Sequence, residues 1–150
     1  MTSNALPTTA LWPLTLYYDG QCPLCLREIQ MFLKRNQQGR LHLLDIASTA
    51  TEPLPGLTRE QMLDCLHARF DDGRIVSGID ATYWSYCAVG LGWLVKPLAW
   101  RWARPFWLWS YRQFCQLRPH LTRILPMPAD STCDSDQCQQ RTPRRKTGSE

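Results

Sequence analysis

The spacing of apolar residues changes several times along the first half of the chain, and each change predicts a new element of secondary structure. The continuous run Leu14–Tyr18 is typical of a buried strand. Apolar residues then recur at the spacing of one helix face: Cys25, Ile29, Phe32 and Leu33. A helix is therefore expected from about Pro23 to Asn36, followed by a second strand at Leu41–Ile46. Together they predict a right-handed crossover unit with parallel strands.

Turn and capping residues predict the elements that follow. The sequence Thr-Arg-Glu-Gln from Thr58 has capping-box spacing, so a second helix is expected to start there. An Asp-Asp-Gly turn at residues 71–73 separates the runs 67–70 and 74–77 and predicts a hairpin. Asp80 is a candidate N-cap for a third helix. Three later prolines are expected to break the chain into short helical pieces: Pro97, Pro105 and Pro119.

The predicted order β-α-β-α-β-β-α is that of a thioredoxin-like fold. We therefore expect an α/β protein with a small mixed four-stranded sheet, flanking helices and a C-terminal helical extension. Four parts are expected along the chain: an N-terminal extension (1–13), a thioredoxin-like domain (14–95), a Trp- and Arg-rich helical extension packed on it (96–127) and a disordered tail (128–150).

Composition favours an intracellular globular protein. A hydrophobic fraction of 44% in 150 residues is enough for one packed domain with extensions. The seven cysteines, an odd number, do not resemble the disulfide framework of a small secreted domain. Residues 1–14 contain no basic residue, unlike a signal peptide. We expect a cytoplasmic location, where a CxxC motif is more often catalytic or metal-binding than structural.

The most informative motif is Cys22-Pro23-Leu24-Cys25, at the junction of the first strand and helix. A helix N-terminus stabilises a thiolate, so the pKa of Cys22 should lie below the free value of about 8.5. We predict an exposed nucleophile, Cys22, and a more deeply placed resolving thiol, Cys25, acting through a mixed disulfide with the partner. Because the two residues between the cysteines supply no cation, we expect a reducing or intermediate potential.

The stretch from Tyr18 to Cys25 resembles the DCC family of thiol-disulfide oxidoreductases, whose Asp-x-x-Cys-x-x-Cys signature is met by Asp19, Cys22 and Cys25. Softer matches extend the resemblance over about residues 14–125. It implies a thioredoxin-like fold, a redox role and a place for Asp19 in the site. Asp19 could accept the proton of Cys25, or it could accept hydrogen bonds from the N–H groups of its own turn.

For this dithiol we expect exchange with a protein disulfide or a glutathione-type thiol, and this chemistry needs no bound cofactor. A different hypothesis is a non-enzymatic zinc-binding module that combines Cys22 and Cys25 with two further thiols, for which Cys133 and Cys138 form a looser second pair. The remaining cysteines are expected to be small buried apolar residues: Cys65, Cys87 and Cys115.

A second compositional feature lies in residues 81–129, which hold six of the seven tryptophans and six basic residues but no acidic residue. Segment 83–118 could cap the sheet, dock a partner protein, or contact anionic lipid headgroups as in a membrane-peripheral adaptor. Its uncharged runs are shorter than the roughly 20 residues of a transmembrane helix. Nucleic acid is not an expected partner, since no binding motif accompanies the charge.

Overall fold

The computed structural model describes residues 11–124 of the chain. The strands are β1 (Leu14–Tyr18), β2 (Leu41–Asp45), β3 (His67–Phe70) and β4 (Ile75–Ser77). The helices are α1 (Pro23–Arg35), α2 (Arg59–Asp64), α3 (Ile79–Ala88), α4 (Gly92–Val95) and α5 (Arg104–Ile124), with a 3₁₀ turn at Lys96–Ala99. The predicted disordered tail and most of the predicted N-terminal extension lie outside the described residues, and the division into parts stays a prediction.

The four strands form one mixed sheet in the order β2-β1-β3-β4. β1 and β2 are parallel, as the predicted crossover unit requires, and Leu16 pairs with Leu43. β3 runs antiparallel to both β1 and β4. Helices flank this sheet and α5 follows at the end of the described chain. The thioredoxin-like α/β fold expected from the sequence is therefore confirmed.

The core fixes α1 over the sheet. Leu26, Ile29 and Phe32 of α1 are almost fully buried, at 3%, 2% and 1% exposure. The Phe32 ring meets Tyr86 of α3 edge to face, with 5.1 Å between ring centroids. Because this apolar face allows only one orientation of α1, the N-terminus of the helix, where the CxxC motif lies, is held at the end of β1.

Two expectations for the C-terminal half are wrong. Gly78, not Asp80, precedes the first turn of α3, because the carboxylate of Asp80 instead pairs with Arg104 at 2.8 Å. The chain after Pro105 is one helix, α5, and not several short pieces. Pro105 lies in the first turn, where a missing N–H breaks no helical bond. At Pro119 the helix continues despite a cost of about 3 kcal/mol.

Side-chain contacts along its length hold α5 against the body of the protein. The indole N–H of Trp107 donates to the carbonyl of Pro97 at 3.0 Å, and the hydroxyl of Tyr111 accepts the N–H of Leu66 at 3.2 Å. These two contacts hold the first half of α5 to the 3₁₀ turn and to the residue before β3. Within residues 11–124, no helix combines the length and the apolar content that a membrane span requires.

Candidate active site

The loop that leads from β1 into α1 is held to the end of β2 by one carboxylate. Oδ1 of Asp45 accepts the N–H groups of Gly20, at 2.9 Å, and Ala47, at 2.8 Å. A Cβ atom at position 20 would lie 2.1 Å from Oδ2 of Asp45, so this close approach requires glycine. The N–H of Cys22 donates to the carbonyl of Asp19 at 3.2 Å. These hydrogen bonds therefore fix the position of Cys22 at the start of α1.

Cys22 is the N-cap residue of α1, as the sequence predicts. Its backbone is extended, with φ −93° and ψ 114°, and its Sγ accepts the N–H of Cys25 at 3.5 Å. The predicted difference in depth between the two thiols is wrong, because Cys22 is only 3% exposed while Cys25 is half-buried. The side chain of Arg118 is hydrogen-bonded to Cys22. The buried apolar face of α1 continues from Leu26 and does not include Cys25.

The guanidinium of Arg118 joins α5 to the CxxC loop by three hydrogen bonds. Its Nε donates to Sγ of Cys22 at 3.3 Å, Nη1 to the carbonyl of Leu63 at 3.1 Å, and Nη2 to Oδ2 of Asp19 at 2.5 Å. The other oxygen of Asp19 accepts the N–H of Gln21 at 2.9 Å. Asp19 thus orders its own turn, as one of its two predicted roles requires, and also binds Arg118.

Hydrogen bonds and burial shift the pKa values of the two thiols in opposite directions. The pKa of Cys22 falls from near 9 to about 5, first because the Cys25 thiol donates a hydrogen bond to it. The Cys25 N–H and the hydrogen bond and charge of Arg118 lower it further, and burial opposes them. The pKa of Cys25 is raised, because its proton is held by Cys22 and because it is buried. The cation that the CxxC motif lacks is therefore supplied from α5.

A cavity of about 60 Å³ lies beside Cys25, between α1, α2 and α5. Glu28, one turn after Cys25, lines it, and burial raises the pKa of this carboxyl although a hydrogen bond with Tyr86 lowers it. Sequence reasoning missed Glu28, although its helical spacing from Cys25 was a usable signal. It also missed Arg118, which is 96 residues from Cys22 and has no local signal.

The other cysteines do not share one environment. Cys65 and Cys115 are half-buried and line the cavity beside Cys25, whereas Cys87 lies on α3 and does not line it. Within residues 11–124, no three His, Cys, Asp or Glu side chains are grouped so as to hold a metal ion. The second thiol pair of the zinc hypothesis lies outside the described residues, so that hypothesis stays a prediction.

The sequence around this site matches that of a known family. A sequence model of the DCC1-like thiol-disulfide oxidoreductases matches residues 16–124, from β1 to the end of α5. The chain belongs to the DCC1-like thiol-disulfide oxidoreductase family. The resemblance drawn from the Asp-x-x-Cys-x-x-Cys signature is thus confirmed, and the match includes Arg118 as well as both cysteines of the motif.

One curated relative of this family member is the Arabidopsis thaliana protein named "Uncharacterized protein At5g50100, chloroplastic", which is 37% identical over 91 residues. The match covers 59% of this chain and 42% of the relative, so the chain spans less than half of the relative's length. No solved structure matches the chain. The relative's name places that protein in the chloroplast, and the cytoplasmic location expected for this chain stays a prediction.

Replacing Arg118 by glutamine tests its effect on the thiol. The variant should raise the pKa of Cys22 by about one pH unit, because it removes the cation and keeps the remaining donors from Cys25. The pH dependence of alkylation of Cys22 by iodoacetamide measures this pKa. Arg118→Lys is the matched control: it keeps the charge but not the planar fork, and its pKa should lie between the other two. An unchanged pKa in Arg118→Gln would contradict the assignment.

Proposed function

We propose that this protein exchanges a dithiol for a disulfide with a protein disulfide or a glutathione-type partner, through a mixed disulfide on Cys22. The observation that supports the proposal is the position of the Cys22 sulfur, at the N-cap of α1 and within 3.3 Å of the Arg118 guanidinium nitrogen Nε. A thiol with a pKa of about 5 is ionised at neutral pH, which is the state that attacks a disulfide.

The reaction proceeds in two exchanges. The Cys22 thiolate attacks one sulfur of the partner disulfide, that S–S bond breaks, and the other partner sulfur leaves as a thiolate that takes a proton from water. Cys25 then loses its proton and attacks Cys22, which releases the second partner sulfur and closes the Cys22–Cys25 disulfide. Two electrons pass from the Cys22–Cys25 pair to the partner, and the reverse sequence oxidises a partner dithiol.

The resolving step needs a base for Cys25, whose pKa is raised. Asp19 is engaged by Arg118, whereas Glu28 lines the cavity beside Cys25 and has a carboxyl pKa raised by burial. A carboxylate of raised pKa accepts a thiol proton more readily than an ordinary one. We assign Glu28 as the proton acceptor for Cys25 and Asp19 as the residue that positions Arg118.

The site favours an oxidising pair more than the motif alone predicts. Ionisation of the Cys22 thiol stabilises the reduced protein relative to the disulfide. At pH 7 the size of this stabilisation is set by the interval between the pKa of Cys22, about 5, and the pH of the solution. That interval corresponds to about 3 kcal/mol, or roughly 60 mV, relative to an unperturbed thiol. Because Cys22 is 3% exposed and bonded to Arg118, a partner reaches the sulfur only after neighbouring side chains move.

Reduction of a glutathione mixed disulfide on a model peptide tests the proposal. Cys22→Ser should abolish activity, because it removes the nucleophile, and Cys25→Ser should accumulate the mixed disulfide on Cys22, which mass spectrometry detects. Glu28→Gln should form the mixed disulfide at the normal rate and resolve it about tenfold or more slowly. Cys87→Ser, on α3 away from the cavity, is the matched control and should equal wild type.

Equal turnover by wild type and Cys22→Ser would refute the proposed exchange. Normal resolution by Glu28→Gln would refute only the assignment of the base, since the mixed disulfide would still form.

A specific observation also favours contact with a membrane surface. Four aromatic side chains at the start of α5 and in the turn before it are more than half exposed, and they are called here the aromatic cluster: Trp100, Trp102, Phe106 and Trp109. Trp100 and Trp102 stack with 5.6 Å between ring centroids. Exposed aromatic residues of this number in one short segment are typical of an interaction surface.

The charge around the aromatic cluster indicates which partner it fits. Exposed bases accompany it at Lys96, Arg101 and Arg112, and residues 81–129 contain no acid. Aromatic rings with basic neighbours suit the interface of an anionic bilayer, where the rings enter the headgroup region and the bases meet lipid phosphates. We propose that the aromatic cluster binds anionic membranes from the aqueous side.

Co-sedimentation with phosphatidylglycerol vesicles tests this surface. Wild type should bind, and Trp102→Ser combined with Phe106→Ser should lower the partition coefficient about a hundredfold, since each ring contributes about 1.5 kcal/mol or more on burial. Ile75→Ser, an exposed apolar residue on β4, is the matched control and should not change binding. Absence of binding at low salt would contradict the proposal. A dimer that the double variant dissociates would also contradict it, and would favour a second copy of the chain as the partner.

A further inference from the structure

Two thiols outside the CxxC motif line the same cavity as the phenol side chain of Tyr111. Cys65 follows the last residue of α2, Cys115 lies on α5, and the Tyr111 hydroxyl lowers the pKa of both thiols against the larger effect of burial. The Tyr111 hydroxyl also accepts the N–H of Leu66 at 3.2 Å, which holds it in place between α5 and β3. Cys65, Tyr111 and Cys115 therefore line one and the same cavity.

The same two thiols adjoin the CxxC site. Cys25, Cys65 and Cys115 all line the cavity of about 60 Å³ between α1, α2 and α5. Cys115 precedes Arg118 by three residues on α5, and the Arg118 charge acts on Cys115 as well as on Cys22. Arg118 therefore borders the cavity shared by Cys25, Cys65 and Cys115 and is bonded to Cys22.

We propose that Cys65 and Cys115 form a second redox pair, which receives the disulfide from Cys22 and Cys25 and returns the CxxC motif to its reduced state. The inference rests on the proposed exchange function and extends it, because it gives the chain a place to store a disulfide away from the partner-binding thiol. Neither the motif nor the family match assigns a role to these two cysteines.

The transfer balances as two exchanges within one chain. In the oxidised protein the thiolate of Cys115 attacks the sulfur of Cys25, the Cys22–Cys25 bond breaks, and Cys22 leaves as a thiolate. The thiolate of Cys65 then attacks Cys115, a Cys65–Cys115 bond forms, and Cys25 leaves and takes up a proton. Two electrons pass to the CxxC pair, and of the two protons lost by Cys65 and Cys115 one is released to solvent.

The properties of the four thiols favour transfer of the disulfide from the CxxC pair to Cys65 and Cys115. Cys22 is the better leaving group, because its thiolate is paired with Arg118 and its pKa is about 5. Burial raises the pKa of both Cys65 and Cys115, so their reduced forms gain no comparable stabilisation from ionisation. Formation of an S–S bond of about 2 Å requires both side chains to turn past the Tyr111 hydroxyl, which makes the transfer slower than the first exchange.

Disulfide mapping after a single oxidation tests the proposal. The reduced full-length chain is treated with one equivalent of diamide, free thiols are alkylated at increasing times, and tryptic peptides are weighed. Trypsin separates the relevant thiols: Cys22 and Cys25 in residues 1–27, Cys65 in 60–69, and Cys115 in 113–123. An early disulfide within 1–27 should be replaced by a link between 60–69 and 113–123.

Three variants and one control make the result decisive. Cys115→Ser should keep the disulfide within residues 1–27 at all times, and Cys65→Ser should do so apart from a small fraction linked between Cys25 and Cys115. Cys22→Ser should form the Cys65–Cys115 link at least tenfold more slowly, because it cannot pass through the CxxC disulfide. Cys87→Ser, outside the cavity, should behave as wild type.

A disulfide that stays within residues 1–27 in wild type, with Cys65 and Cys115 alkylated, would overturn the second pair and leave the proposed exchange intact. A Cys65–Cys115 link that forms in Cys22→Ser as fast as in wild type would also overturn it, since the oxidant would then act on that pair directly. A wild-type chain with no disulfide within residues 1–27 at any time would instead count against the proposed exchange itself.

Discussion

The hydrogen bonds of Arg118 are the contact on which the rest of the site depends. One guanidinium binds the sulfur of Cys22, the carboxylate of Asp19 and the carbonyl of Leu63, so it joins α5, the CxxC loop and the end of α2. A planar, permanently charged fork suits this task, because three acceptors in different directions are satisfied at once. Without it a thiolate at 3% exposure would lack a counter-charge.

On the proposed exchange, this arrangement couples the redox state of the CxxC pair to the packing of α5. In the reduced protein the Cys22 thiolate attracts Arg118, and its pKa of about 5 means that the attraction persists at neutral pH and is lost as the pH falls through 5. A Cys22–Cys25 disulfide would carry no anion, so of the three acceptors that Arg118 has in this structure only Asp19 and Leu63 would be unchanged. On the proposed exchange, oxidation weakens the contact between α5 and the CxxC loop.

The sequence was sufficient to predict the elements whose structure depends on residues close together along the chain. Periodicity predicted β1 and α1, and the capping box at Thr58 and the N-cap position of Cys22 follow from residues less than one helical turn apart. The cation beside Cys22 could not be predicted, because Arg118 is distant in sequence. The continuous α5 was missed for a related reason: Arg118, next to Pro119, is bonded to groups distant in sequence, which the local effect of a proline does not take into account.

The most direct test is the reduction potential of the Cys22–Cys25 pair with and without Arg118, measured against glutathione buffers at pH 7. A Cys115→Ser background confines the disulfide to the CxxC motif in both proteins. If Arg118 stabilises the reduced thiolate, Arg118→Gln should be more reducing by about 30 mV, the equivalent of one pH unit in the pKa of Cys22. Equal potentials in the two proteins would contradict the account.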